Sequence, residues 1–408
     1  MREVTTCRAC WSDRLVNFLD LGQHYVSDFR EDTSKPNKYP LIAVICEDCM
    51  LVQLKYTVPS SEMYHENYGF KSGISDSIKD DLKDIVSTTL EYHDSPKTWI
   101  DIASNDGTLL SFVPNSINRT GVDPITKYCK EAEQHADRIV NGFFNLEPFT
   151  EYGASGDIIY ETFDVITSVS CFYDMDRPND FVSDASKVLA KKGIWTIQQN
   201  YLLPTLELGA LDNFCFEHLE YYTLLALEPL LERHGLEVVD VSTSMVNGGS
   251  IRTIVAHKGD YPVQDSVEKQ RSIELDAGLD KIATYFQFAD KATKNIKDLR
   301  LLVDGLKEEG KKIAILAAST RGATIWQCAK LTNKDIEYAV ERNPEKVGKY
   351  FSALGIKIIS EAKFRENNPD YAIIGPWFYG SEVVAREKKY LEGGGLLILP
   401  LPTVEIIT

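Results

Sequence analysis

The sequence predicts an α/β fold in three parts. Two Cys-x-x-Cys pairs sit within residues 1–60, strand and helix patterns alternate from Lys97 to about His257, and the alternation resumes near Lys312 after a purely helical stretch. Two such alternating units separated by helices are expected to form two sheets, each flanked by helices. The cysteine-rich segment is too poor in helical periodicity to join either.

Residues 1–60 are read as a zinc-ribbon-like lobe. Cys7-Arg-Ala-Cys10 and Cys46-Glu-Asp-Cys49 each put two thiolates on one tight turn, and two such turns complete a tetrahedron around Zn2+. The β-type runs 15–19 and 51–54 leave those turns as short strands. Residues 11–45 exceed a minimal ribbon and are expected to loop out. Four thiolates leave no open coordination position, so metal at Cys7, Cys10, Cys46 and Cys49 is expected to be structural. The remaining cysteines, Cys129, Cys171, Cys215 and Cys328, read as buried small hydrophobes.

Residues 61–258 form the central unit. Its helical lead-in is predicted from Ile74, Ile78, Leu82 and Ile85. Strands follow at 98–103, 119–123, 138–144, 163–170, 193–199, 236–245 and 250–256, with helices at 178–190 and 222–234. The pattern predicts a parallel sheet. Residues 259–300 read as a helical linker. The last unit, 301–408, has strands at 312–317, 336–341, 371–375 and 395–400, helices from about 321 and 380, and a helix stop at Gly393-Gly394-Gly395.

A formal net charge of −17 with no basic stripe argues against nucleic acid. No apolar run reaches membrane-spanning length, and the first residues lack the apolar core of a secretory signal. The expectation is a cytoplasmic protein with reduced thiols, a monomer or small homo-oligomer.

The strand Trp99-Ile100-Asp101-Ile102 runs into Ala103-Ser104-Asn105-Asp106-Gly107, where a helix is expected to start. Backbone N–H groups at that strand end can meet a cofactor. The next strand ends in Gly121-Val122-Asp123, an acidic position suited to ribose hydroxyls. The loop lacks the glycine spacing of a dinucleotide fold, and its acids would repel a pyrophosphate. Asp101 and Asp106 suit the ammonium and sulfonium of S-adenosylmethionine better.

These residues are recognisable together. The segments CRAC (7–10), CEDCMLVQL (46–54), DIASNDGTLL (101–110), EHLEYYTL (217–224), VNGGSIR (246–252), AASTRGATIWQ (317–327) and ERNPEKVGKY (341–350) resemble, in order, the sugar C-methyltransferases of deoxysugar biosynthesis. The resemblance implies a zinc lobe, a central class I S-adenosylmethionine methyltransferase domain of Rossmann-like fold, and a second Rossmann-like α/β domain for a nucleotide-linked sugar substrate. It implies cofactor contacts at Tyr68, Asp101, Ala103, Ser104, Asn105, Gly107 and Asp123. The chain departs from the family at the catalytic segment: the family's Tyr-His-Glu-His is here Cys215, Phe216, Glu217 and His218. The lysine of its Gly-Ala-Ser-Thr-Lys-Gly is Arg321, and its Pro-Gly-Thr turn is Phe351-Ser352-Ala353.

Carbon methylation beside a carbonyl needs a base for an acidic C–H and donors for the oxyanion. His218 is the best base by its ordinary pKa, with Glu217 or Glu220 to orient the ring. Asn247 and Arg252 flank the glycines of their turn and are candidates for substrate oxygens. Ser319, Thr320 and Arg321, at a strand end, suit phosphate. A methyltransferase acting on oxygen or nitrogen, and a non-catalytic zinc-bearing binding protein, are the rival readings.

Overall fold

A computed structural model describes residues 1–65, 69–155 and 157–408. The N-terminal lobe contains β1 (Leu15–Tyr25), β2 (Phe29–Arg30), β3 (Lys38–Cys46) and β4 (Val52–Leu54). β1 and β3 pair antiparallel over most of their length, and β4 adds to β3. Residues 11–45 therefore do not loop out. They build the lobe's longest strands, because Leu41, Ala43 and Ile45 bury one face against Phe18 and Leu54. The fourth strand of this sheet, Glu220–Tyr221, comes from far along the chain and pairs with Gln53 and Val52.

The central unit opens with helix α1 (Asp76–Leu90), which buries Ile78, Leu82, Ile85 and Val86 against Trp99 and Val165. Its sheet comprises β5 (Thr98–Ile102), β6 (Asn118–Asp123), β7 (Arg138–Asn141), β8 (Phe163–Val169), β9 (Leu189–Asn200), β10 (Leu236–Ser244) and β11 (Ser250–His257). The spatial order is β10-β11-β9-β8-β5-β6-β7. Five neighbouring strands are parallel, but β11 runs antiparallel to both β9 and β10. The predicted all-parallel sheet fails there for a plain reason. Residues 245–249 form a tight turn, and a connection that short joins only antiparallel strands. Trp99 and Trp195 are fully buried at the sheet's centre, their indole N–H groups donating to Thr167 (3.0 Å) and Ser168 (3.1 Å).

Two helices, Asp265–Asp276 and α2 (Ile282–Glu308), lead to the last unit. This contains β12 (Ile313–Leu316), helix α3 (Thr320–Cys328), β13 (Ala339–Glu341), β14 (Tyr350–Phe351), β15 (Ile356–Ser360), β16 (Tyr371–Ile374), β17 (Leu396–Leu399) and β18 (Glu405–Ile407). The order is β18-β17-β16-β12-β13-β15-β14, and β2 of the zinc lobe closes the edge beyond β14. Phe29 stacks on Phe351 there, ring centroids 5.7 Å apart. Among the described residues no helix is long and apolar enough to cross a membrane.

The β10–β11 turn is wedged between the two large units. Gly249 takes φ +122°, and a Cβ on it would fall on the Pro204 ring. Gly249→Ala is therefore expected to cost about 2–5 kcal/mol from strain and overpacking together. Thermal unfolding measures it; a variant within about 1 kcal/mol of the parent would mean that the turn relaxes freely.

Candidate active site

The four paired cysteines converge. Their sulfur atoms all lie within 4.8 Å of one another, with Cys7 to Cys49 and Cys10 to Cys46 each at 3.5 Å. A zinc tetrahedron with Zn–S near 2.3 Å has sulfur–sulfur edges of about 3.8 Å, so the donor set fits the ion in number, type and spacing. Hydrogen bonds from Cys49 and Cys7 hold the Cys46 thiol down at about 2, while its bond to Cys46 pushes Cys7 up to about 12. Four sulfurs this close ionise together only around a cation. Arg8, inside the first turn, is buried and reaches Gln53 Oε1 (3.2 Å), the Leu54 carbonyl (2.7 Å), Thr57 (2.9 Å) and the Glu220 carboxylate (3.4 Å).

The carboxyl ends of β5, β6 and β8 open on a cavity of about 580 Å³, bordered by Ala103, Asn105, Asp123, Phe143, Ser170 and Asp174. A smaller cavity of about 40 Å³, lined by Asp81, Asp101, Ser104 and Asn247, adjoins it; both share Phe70, Ser72, Ala103, Val169 and Ser170. Ala103 (φ +62°), Asn105 (φ +50°) and Gly107 (φ +77°) turn the chain sharply, and a Cβ on Gly107 would meet the Ala132 backbone at 2.9 Å. No α-helix begins at Gly107; only a short 3₁₀ turn forms, at Leu110–Phe112. The reason lies in side-chain bonds that hold the loop open. Asn105 accepts from the Ser72 N–H (3.0 Å) and donates to the Phe70 carbonyl (3.2 Å), and Asp106 accepts from the Gly73 N–H (3.0 Å). Asp106 thus fastens the segment before α1 and does not line either cavity.

Asp123 accepts from the Asn105 N–H (2.9 Å) and the Ile125 N–H (2.8 Å), one bond on each oxygen, leaving a lone pair on each for a ligand. Asp101 accepts from Thr167 Oγ1 (2.7 Å), and burial, with Asp123 nearby, pushes its carboxyl up to about 7. Ser104 Oγ is buried without a hydrogen-bond partner. A turn of small residues, an orphaned hydroxyl and unneutralised carboxylates suit a ligand with a diol at one end and a cation at the other. Tyr68 lies outside the described residues.

His218 donates or accepts at Nδ1 with the Asn213 carbonyl as partner (2.9 Å); a carbonyl only accepts, so Nδ1 carries the proton and Nε2 the lone pair. The ring packs edge-on against Tyr173 at 4.4 Å. Burial and the neighbouring Arg321 push its pKa down to about 3, so it stands neutral. Glu217 faces another way. It lines a minor void with Cys215, His24, Thr320 and Gln327, and burial raises its carboxyl to about 7. It does not orient His218. Cys215 is fully buried and held in its thiol form.

Two predicted substrate ligands have other partners. Arg252 binds Gln198 (2.8 Å), Asp84 (2.8 Å), Thr88 (3.2 Å) and Asp81 (3.4 Å), tying β11 to α1. Arg321 pairs with Asp212 (2.7 Å), donates to the Asn247 carbonyl (2.5 Å) and lies 4.5 Å over the Phe378 ring. It clamps the β10–β11 turn to α3. Ser319 caps α3, accepting from the Gly322 N–H (3.1 Å). The ends of β12, β13 and β16 enclose a cavity of about 190 Å³ lined by Ala317, Glu341, Arg342, Tyr379 and Arg386; Ser319 and Thr320 do not line it, and Thr320 borders the void beside Glu217. Asn247 (φ +56°) borders the smaller cofactor-side cavity. Sequence reasoning missed Ser170, Phe143, Asp174 and Asp81. For Ser170 a signal existed, since it ends β8 as Ala103 ends β5, at the face where open α/β sheets bind ligands. The others carried none.

Comparison with known proteins matches three families along the chain. Residues 7–64 match the family described as "Putative zinc binding domain", 76–241 a methyltransferase domain, and 245–402 the C-methyltransferase C-terminal domain. The C-methyltransferase NovU of Streptomyces niveus is 26% identical over 417 residues, spanning 100% of this chain and 98% of its own. Among solved structures, a S-adenosylmethionine-dependent methyltransferase from Clostridium acetobutylicum ATCC 824 is 16% identical, covering 44% of this chain and 92% of its own with a TM-score of 0.35. The N-methyltransferase NodS from Bradyrhizobium japonicum WM9 is 12% identical, covering 44% and 95% with a TM-score of 0.33.

The purified protein is expected to carry about one zinc per chain. Because Glu220–Tyr221 is a strand of the zinc lobe, Cys46→Ser is expected to lower turnover as well as stability. Metal analysis with activity assays checks this; metal-free protein that is fully stable and fully active would remove zinc from the structure's requirements.

Proposed function

Because the chain is a zinc-binding, S-adenosylmethionine-dependent C-methyltransferase, we propose that it methylates the carbon beside the keto group of a nucleotide-activated sugar, by way of a carbanion. The observation that carries this reading is His218, a neutral imidazole with its Nε2 lone pair unused and Arg321 close beside it. S-adenosylmethionine bound in the larger cavity supplies an electrophilic methyl group. Asp123 would receive the ribose hydroxyls on the lone pairs left by Asn105 and Ile125. Phe143, half exposed at the cavity wall, offers a ring face to the adenine. Ala103, Ser104, Asn105 and Gly107 would follow the chain toward the methionine end, where Asp101 meets the ammonium.

On the acceptor side, His218 Nε2 takes the proton from the carbon next to the carbonyl. The electron pair left behind spreads onto the carbonyl oxygen, and the positive charge of Arg321 nearby lowers the cost of that oxyanion. Arg321 acts here through its charge: Nε and Nη1 are engaged by Asp212 and the Asn247 carbonyl, while Nη2 is buried without a hydrogen-bond partner. The nucleotide would occupy the cavity at the ends of β12, β13 and β16, where Arg342 and Arg386, both beside Glu361, would offer charge to phosphates. Asn247, between the two cavities, is placed to bond the sugar.

His218→Ala is expected to lower turnover by about 10²–10⁴ while cofactor affinity stays nearly unchanged. Deuterium from solvent should enter the substrate carbon in the parent protein, where deprotonation is reversible, and not in the variant. Exchange that survives in the variant would move the base elsewhere.

Asp101 gives a pH prediction. The carboxyl titrates near 7 when no ligand is bound, and only its ionised form attracts the ammonium. S-adenosylmethionine should therefore bind more tightly as pH rises from about 6 to about 8. Calorimetry across that range tests it, with 5′-methylthioadenosine, which lacks the amino-acid end, expected to show a flat profile.

A further inference from the structure

Asp81 sits on α1 beside the helix's apolar stripe, with its side chain 8% exposed. Burying an acid there costs free energy unless something compensates it. Its oxygens accept from Gln198 Nε2 at 2.6 Å and from Arg252 Nη2 at 3.4 Å. The Arg252 guanidinium does not need Asp81, because Asp84, Thr88 and Gln198 already engage it at 2.8–3.2 Å. Asp81 also lines the 40 Å³ cavity together with Asp101, which belongs to a different element, β5. Among the described residues no basic side chain lines that cavity. A second feature points to a ligand independently: Ser104, 4% exposed and part of the same wall, has a hydroxyl oxygen with no partner. The space holds a few heavy atoms, about the size of an ammonium and the carbon bearing it.

We infer that Asp81, which lines the small cavity together with Asp101, is a second ligand for the cofactor's ammonium group, and that Arg252 and Gln198 are positioning residues that aim it. This rests on the larger cavity being the cofactor's. Two carboxylates carried by different elements hold a cation at a fixed point, where a single one leaves it free to swing. The amino-acid end of the cofactor is thereby fastened to α1 as well as to the sheet. Arg252 thus serves cofactor binding through Asp81, in place of the substrate contact its sequence position suggests.

Calorimetry with three ligands tests the inference: S-adenosylmethionine, S-adenosylhomocysteine and 5′-methylthioadenosine. Asp81→Asn is expected to weaken the first two by about 10- to 100-fold, the loss of a charge-assisted bond, and to leave the third within about 2-fold. Arg252→Met should reproduce that selective loss, and Arg252→Lys should restore most of it. Asp123→Ala should weaken all three. If Asp123→Ala weakens them and Asp81→Asn weakens none, the ammonium contact is overturned while the cavity assignment stands. If Asp123→Ala weakens none, the cavity assignment itself fails, and the inference with it. A uniform loss of all three ligands in Asp81→Asn, with a lowered unfolding temperature, would make Asp81 a purely structural partner of Arg252. Should Asp81→Asn fail to fold, the Arg252→Met and Arg252→Lys pair decides: selective loss with rescue supports the inference, and uniform loss or none overturns it.

Discussion

The pairing of Glu220–Tyr221 with Val52–Gln53 is the constraint on which the active site depends. It makes the catalytic segment an edge strand of the zinc lobe, so the position of His218, two residues earlier, follows from the fold of a sheet that has little core of its own. Zinc completes that sheet, because the metal joins the turn before β1 to the turn between β3 and β4. Arg8 lies inside the first turn and meets the Glu220 carboxylate in the interior. A buried pair of this kind adds little net stability, but losing one partner strands the other charge. It therefore fixes register more than it adds strength. Loss of the metal would therefore loosen the strand that follows His218.

The same lobe also holds the last unit. β2 adds to β14, Phe29 stacks on Phe351, and the Lys346 ammonium lies 4.2 Å over the Phe29 ring while donating to the Ala318 carbonyl (3.0 Å). From the other side, Arg321 joins α3 to Asp212 and to the β10–β11 turn. The two large units are thus clamped at both flanks of the cleft that separates their strand ends. Geometry between the cofactor side and the acceptor side is set by these clamps, and few exposed loops contribute. Rigid placement suits methyl transfer, in which donor and acceptor must be held in line.

Local periodicity made most elements legible. The strands at 98–102 and 163–169 and the helix at 178–188 announce themselves in runs of Trp, Ile and Val or in helical spacing. What stayed hidden is non-local. Nothing in Phe29-Arg30 says that it will pair with Tyr350-Phe351 some three hundred residues away, and nothing in Glu220-Tyr221 says that it belongs with the cysteines. The expected helix at Gly107 fails because Asn105 and Asp106 spend their side chains on residues 70–73, a competition that propensity cannot register. Arg252 and Arg321 misled for a related reason. An arginine next to glycines at a strand end has the composition of a ligand site, and only packing shows that acids on α1 and at Asp212 have already claimed the guanidinium groups. The cysteine cluster was readable because metal geometry demands a spacing that chance seldom produces.

The altered catalytic segment becomes intelligible in these terms. Where the related proteins have a tyrosine and a histidine, this chain has Cys215 and Phe216, and both side chains are buried. Neither replacement offers an ionisable group to the cleft: burial holds Cys215 as a thiol, and Phe216 packs edge-on to Tyr39 of the zinc lobe. Phe216 thus contributes an apolar contact between this segment and the lobe. Glu217 is turned into the void beneath α3, so of the four positions only His218 keeps a lone pair free. Its neutrality is enforced twice, by burial and by Arg321. An imidazole so weakly basic in the resting protein gains basicity only where negative charge builds up beside it, the condition that the proposed enolate would meet.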